Sequence, residues 1–251
     1  MLFGTLAIIG DSLLAGARAE TSGHAGLGVP EHLARVLSVC TSEEWGVLNR
    51  AVSGQTTRQI ADRAPGAVRE LLAYAGPRWV VFLAGTNDSK GPGVPIDEWE
   101  ILYRQAAAWA RRASLPLVLA TFPPVDPGAM PAFGRNANDW LAAASARVRS
   151  LALDWDGSPA PVVLVELSDL PLDALCDGVH FRPEAHLAVA LRFADAMLRR
   201  PERPWSVLLD EARAVFARSD ATRVGPGPGG AEVCVADPPR AKRRKRTEAE
   251  A

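Results

Sequence analysis

Residues 7–16 read AIIGDSLLAG. Apolar residues run into a Gly-Asp-Ser turn, and an apolar stretch resumes directly after it. The preceding run, TLAIIG (5–10), is too short for a helix and lacks the apolar–polar alternation of a half-exposed strand. It reads as a strand buried on both faces, with an acid and a hydroxyl at its tip. Four further runs have a similar texture: VLNRAV (47–52), WVVFLAG (79–85), LPLVLATF (115–122) and PVVLVEL (161–167). Helical periodicity fills the intervals, over 30–39, 55–74, 97–113, 137–153 and 183–199. In 97–113, Trp99, Leu102, Tyr103, Ala106 and Ala110 recur every three or four residues. Pro30 and Pro183 stand where the first turn of a helix tolerates proline. Strand–helix alternation of this kind predicts an α/β fold, a parallel sheet with helices on both faces and right-handed crossovers. Ligands of such sheets bind beyond the carboxyl ends of the strands.

Composition sets the outer limits. The chain has 251 residues, of which 48% are hydrophobic, and a formal net charge of -1. That suits one sizeable core and argues against a surface built to coat nucleic acid. Cys40, Cys176 and Cys234 are odd in number and widely spaced, so neither a disulfide framework nor a zinc site is expected. Reduced thiols are the simpler expectation, with Cys176 as a small buried residue. MLFGTLAIIGDS has no basic leader and too short an apolar stretch to span a membrane, so a cytoplasmic protein is expected.

Residues 1–200 are expected to form the main domain and 201–224 a C-terminal helix packed on it. In 203–219, Trp205, Leu208, Ala212 and Phe216 share one face. GPGPGG (225–230) reads as a linker, and the charged AKRRKRTEAEA (241–251) as a disordered tail, so 225–251 stands apart. The run Lys242–Arg246 admits nucleic-acid contact or nuclear targeting in a eukaryotic or viral host. A solvated tail is the plainer reading.

Polar residues cluster just after the strands: Asp11 and Ser12, then Ser53-Gly54-Gln55, then Thr86-Asn87-Asp88, then Asp177 to His180. The inventory fits acyl transfer. A serine hydroxyl needs a base to take its proton, and His180 can serve. Asp177, three residues earlier, can hold the imidazole in one tautomer. An oxyanion needs donors: the Ser12 N–H at a helix start, a backbone N–H at Gly54 and the Asn87 amide. Read one at a time, these residues have plainer uses. Ser12 suits a helix N-cap, Asp11 a turn brace, Asn87 or Asp88 a turn cap, and Gly54 a tight turn. His186 falls inside a helical pattern, where a partly buried or surface histidine is the common outcome. His24, in the long 19–32 loop, is a candidate to line the acyl or leaving-group site, with a solvated loop histidine as the plainer expectation.

Taken together and in order, GDSL around Ser12, NRAVSGQTT around Gly54, AGTND around Asn87 and DGVH at 177–180 resemble the SGNH, or GDSL-type, esterase/lipase family. The resemblance spans residues 4–199. It implies a flavodoxin-like three-layer αβα sandwich of about five parallel strands. It also implies a Ser12–His180–Asp177 triad and an oxyanion hole of Ser12, Gly54 and Asn87. No cofactor and no metal are implied, and the partner is a small ester or acyl substrate. Relatives more often carry proline directly after the histidine; Phe181 stands there in this chain, which alters the expected pocket wall. The 121–136 segment, TFPPVDPGAMPAFGRN, is expected to wall the substrate.

Other classes remain in view. The same site suits lysophospholipase or acyl-thioesterase activity, or the fold serves a catalytically silent binding protein. A flavodoxin-like nucleotide binder is weaker. The GxGxxG match at Gly225, Gly227 and Gly230 is filled with prolines and lacks a strand–helix context. No GxSxG surrounds Ser12, which argues against an α/β-hydrolase nucleophile elbow.

Overall fold

A computed structural model of the chain describes residues 3–17, 27–155 and 160–223. His24, Cys234 and the whole 224–251 segment, with its linker and basic run, lie outside the described residues.

The strands are β1 (Phe3–Gly10), β2 (Glu44–Asn49), β3 (Arg78–Leu83), β4 (Leu117–Ala120) and β5 (Val162–Val165). They form one five-stranded parallel sheet in the order β2-β1-β3-β4-β5. The central strands β1, β3 and β4 bury nearly every side chain, which is why they read as unbroken apolar runs. The order reverses at β1 and β3, the switch point beyond whose strand tips ligands of open α/β sheets bind. Gly10 ends β1 in close quarters: a Cβ there would lie 2.5 Å from the Leu83 carbonyl oxygen. Without a side chain, the tip of β1 fits tightly against the tip of β3.

The helices are α1 (Ser12–Ala15), α2 (Val29–Thr41), α3 (Thr57–Leu72), α4 (Ile96–Arg112), α5 (Ala137–Asp154), α6 (Pro183–Met197) and α7 (Trp205–Arg223). α3, α4 and α5 pack side by side on one face of the sheet, and α2 and α6 on the other, with α7 against α6. Trp99 and Tyr103 point from α4 into the core, their rings 4.9 Å apart, with Phe82 and Phe122 edge-on beside them. Trp205, Leu208, Leu209 and Ala212 bury the inner side of α7, and the Trp205 ring stacks under the Arg192 guanidinium at 4.3 Å. Among the described residues no helix is long and apolar enough to cross a membrane.

Two boundaries differ from the sequence reading in ways that matter. The second strand runs over Glu44–Asn49, three residues earlier than VLNRAV suggests. Arg50 and Val52 still donate their N–H groups to the Ile8 and Gly10 carbonyls, so the chain follows β1 past its own strand before turning away. The helix after Ser12 is a single turn, closed by Gly16 in the left-handed conformation. Its N-cap is Asp11, whose side chain accepts from the Leu13 N–H, and Ser12 is the first helical residue. A one-turn helix has little macrodipole, so the Ser12 N–H acts as a local donor only.

Candidate active site

Ser12 stands at the tip of β1 and is 6% exposed. Its hydroxyl lies 3.0 Å from His180 Nε2, across 168 residues of chain. His180 Nδ1 lies 2.8 Å from Asp177 Oδ2. With the ring proton on Nδ1, the imidazole donates to Asp177 and accepts from the Ser12 hydroxyl. These three residues therefore form a continuous hydrogen-bonded line.

The Asp177–His180 turn is built locally and then braced from outside. Leu175 and Phe181 form an antiparallel bridge, flanked by hydrogen bonds from Cys176 N–H to the His180 carbonyl and from Arg182 N–H to the Ala174 carbonyl. Asp177 Oδ1 closes the turn by accepting from the Val179 and His180 N–H groups at 3.2 and 2.9 Å. Burial alone would raise the Asp177 pKa, but these N–H donors and the His180 ring hold it below its usual value. It is a carboxylate at neutral pH.

The 121–136 segment supports this turn. Asp126 N–H donates to the Gly178 carbonyl at 2.7 Å, and Asn138 from α5 holds Val125 through both its N–H and its carbonyl. Phe181 does not wall a pocket, as the sequence suggested; it is fully buried, edge-on to His186 at 5.5 Å. His186 is likewise wholly buried, on the inner face of α6. Burial lowers its pKa to about 4, with the charges of His32 and His180 acting in the same direction, so it is a neutral core residue. Cys176 is exposed, contrary to expectation. It sits at the outer edge of a two-residue ladder, where its neighbour Leu175 takes the inward position.

The other two site residues sit on neighbouring loops. Gly54 follows β2 with φ at +81°. A Cβ there would touch nothing within 4 Å, so backbone conformation rather than crowding selects glycine. Its N–H donates to no group among the described residues. Asn87 follows β3, in a 3-10 turn over Thr86–Ser89. One hydrogen of its amide goes to the Gln55 carbonyl at 2.9 Å, which aims the side chain and leaves the second hydrogen available. Arg63 from α3 grips the same loop, through the Arg50 carbonyl at 2.8 Å and the Gln55 side chain.

Asp11 and Asp88 are buried carboxylates beneath the site. Asp88 does not cap its own turn, as the sequence reading had it. It reaches across to Thr57. That contact spans 31 residues and has no local signature, so sequence reasoning missed it along with its companion Trp99. Desolvation raises the Asp11 pKa from 3.8 to about 6; the Leu13 N–H and Thr86 hold it down, and the Asp88 charge pushes it up. The native state thus binds this proton more tightly than the unfolded chain does. The group's contribution to stability is full below pH 3.8 and is lost as pH rises through 6. Asp11→Asn keeps an acceptor for Leu13 and removes the titration. Between pH 4 and 7 the parent is expected to lose on the order of 3 kcal/mol relative to this variant. Urea unfolding of both proteins at the two pH values measures this, and parallel pH slopes would refute it.

Among the described residues no cluster of three or more His, Cys, Asp or Glu is arranged to hold a metal ion.

Comparison with known proteins agrees with this architecture. A model of the GDSL-like lipase/acylhydrolase family matches residues 8–188, which runs from β1 into α6. Curated protein sequences give no significant match. Among solved structures, a lipase/acylhydrolase from Enterococcus faecalis superimposes with a TM-score of 0.58 at 17% identity, covering 80% of this chain and 98% of that one. An acetylxylan esterase from Geobacillus stearothermophilus gives 0.57 at 21%, covering 80% and 95%. A psychrotrophic esterase from Pseudoalteromonas sp., inhibited by monoethylphosphonate, gives 0.57 at 16%, covering 78% and 97%. At these identities the likeness is one of fold.

Proposed function

Because the chain belongs to the GDSL-like lipase/acylhydrolase family, we propose that it is a serine esterase that cleaves carboxylic esters through an acyl-enzyme. The observation that carries this reading is the 3.0 Å contact of Ser12 Oγ with His180 Nε2, in line with the 2.8 Å contact of Nδ1 with Asp177. A serine, a base and an orienting acid within hydrogen-bond reach are what nucleophilic acyl transfer requires.

Ser12 Oγ attacks the acyl carbonyl carbon while His180 Nε2 takes its proton. The carbonyl oxygen becomes an oxyanion, stabilised by the N–H groups of Ser12 and Gly54 and the second amide hydrogen of Asn87. The Leu13 N–H is already committed to Asp11, whereas the Ser12 N–H is one of the first-turn donors that a helix leaves unpaired. Asp177 stabilises the imidazolium and keeps its ring in place. His180 then gives its proton to the departing alkoxide, and the ester C–O bond breaks. In the second half, His180 deprotonates a water that attacks the acyl-enzyme. The acid leaves and Ser12 regains its proton.

The direct test pairs turnover with labelling. The purified protein is expected to hydrolyse a short p-nitrophenyl ester and to be labelled by a fluorophosphonate at Ser12. A protein that does neither is a binding module with this fold. Running ester and thioester substrates side by side, with Ser12→Ala as the blank, reads the acyl and leaving-group preference.

A further inference from the structure

Gly54 and Asn87 follow strands that are not neighbours. β1 lies between β2 and β3 in the sheet, so two strand spacings, about 9–10 Å, separate the strands that carry them. Two donors that serve one oxyanion must each come within about 3 Å of it, so they sit roughly 6 Å apart at most. The loops after β2 and β3 must therefore converge over the tip of β1, and sheet hydrogen bonds cannot make them do so.

The molecule contains a buried cross-link suited to this task. Thr57 is the first residue of α3, three residues past Gly54, and is 0% exposed. Asp88 is the residue after Asn87 and is 3% exposed. Asp88 Oδ2 accepts both from the Thr57 N–H at 2.8 Å and from the Thr57 hydroxyl at 3.0 Å. The same hydroxyl accepts from Trp99 Nε1 at 3.0 Å, and Trp99 Nε1 also reaches the Ala84 carbonyl at the end of β3, at 3.2 Å. The Thr57 hydroxyl thus donates to the Asn87 loop and is pinned from the opposite side by α4. It has no free rotor. Burial raises the Asp88 pKa while the two Thr57 donors hold it down, and in a dry site an acceptor left without such donors is costly, so the bonds are hard to break. The other tie between the loops, Asn87 Nδ2 to the Gln55 carbonyl, is only part-buried.

We propose that Thr57, held between Asp88 and Trp99, is a positioning residue that brings the Gly54 and Asn87 loops into register as one oxyanion hole. Thr57 touches no substrate. It acts through the two loops, and its hydroxyl, rather than its bulk, does the work. The proposal rests on the esterase reading above.

Thr57→Val keeps the branched shape and the N–H to Asp88, and Trp99 Nε1 keeps the Ala84 carbonyl. Only the hydroxyl is lost. Thr57→Ser restores it. Displacing one oxyanion donor by a fraction of an ångström costs on the order of 10- to 100-fold in rate. The expected result is therefore a fall of that size for Thr57→Val in kcat and in the rate of fluorophosphonate labelling. KM stays within about twofold of the parent and Thr57→Ser within about threefold on every measure, since ground-state binding is untouched. Thermal unfolding is followed alongside. The proposal is overturned if Thr57→Val keeps the parent's kcat and labelling rate, if the loss appears in KM alone, or if Thr57→Ser loses activity equally. A parent that is neither labelled nor active overturns the esterase reading and this one with it. A labelled, active parent with an equally active Thr57→Val overturns this one alone.

Discussion

Ser12→Ala is expected to lower kcat for a p-nitrophenyl ester by about 10^4- to 10^6-fold, the range in which loss of a serine nucleophile falls. Fluorophosphonate labelling disappears with it. In the proposed mechanism the Oγ atom forms the new covalent bond, and alanine supplies no nucleophile. The substitution is also clean. The hydroxyl contacts His180, the first position of a helical turn accepts alanine, and the Asp11 cap on Leu13 remains. The change in folding stability should stay within about 1 kcal/mol, so lost activity cannot be charged to lost structure. KM is expected to hold, because Oγ contributes to the transition state and little to substrate binding. A residual rate above that of water is expected from the proposed oxyanion donors, which the substitution leaves in place. Turnover within tenfold of the parent would end the nucleophile assignment.

Asp177→Asn is expected to cost about 10^4-fold in kcat, through the imidazole tautomer. The turn dictates the outcome. Oδ1 accepts from the Val179 and His180 N–H groups, so in the variant the amide oxygen must stay at that position. The amide NH2 then faces His180 Nδ1, which can only accept. The ring proton is forced onto Nε2, where it points at Ser12 Oγ and cannot receive the serine proton. The backbone turn survives, and so does the line of contacts, but the base is gone. Nitrogen NMR of the His180 ring distinguishes the tautomers directly: protonation at Nδ1 in the parent, at Nε2 in Asp177→Asn. A variant that keeps the parent's tautomer and rate would show that Asp177 serves the turn alone.

Much of this molecule was readable from its chain. The apolar runs marked the central strands β1, β3 and β4 because burial on both faces favours apolar residues along their length, and the half-buried edge strands β2 and β5 stood out less sharply. Against those runs the polar residues just past the strand ends, Asp11, Ser12, Asn87 and Asp88, stood out. Edge effects blurred the limits. Glu44 and Trp45 at the start of β2 are exposed and half-buried, which hides the beginning of that strand, while Arg50 and Val52 continue the bonding to β1 beyond its end. Phe181 was misjudged because a residue beside a histidine in a surface turn reads as wall. The short bridge from Leu175 turns its ring inward instead.

The linear chain already specified an α/β fold, a serine at the first strand tip, a glycine and an asparagine at two others, and an Asp–His turn compact enough to read within four residues. Chain order carries no record of sheet order, however. The flavodoxin-like resemblance implied that β1 lies between β2 and β3, but the need to draw the loops beyond them together emerged only from the folded molecule. So did the Asp88–Thr57–Trp99 cross-link, the buried state of Asp11, and the 3.0 Å distance at which Ser12 meets His180, its partner by resemblance, across 168 residues. Local patterns follow from backbone periodicity and solvent exclusion, which act between near neighbours. Contacts among buried polar groups depend on packing that joins distant segments, and packing exists only once the layers have closed.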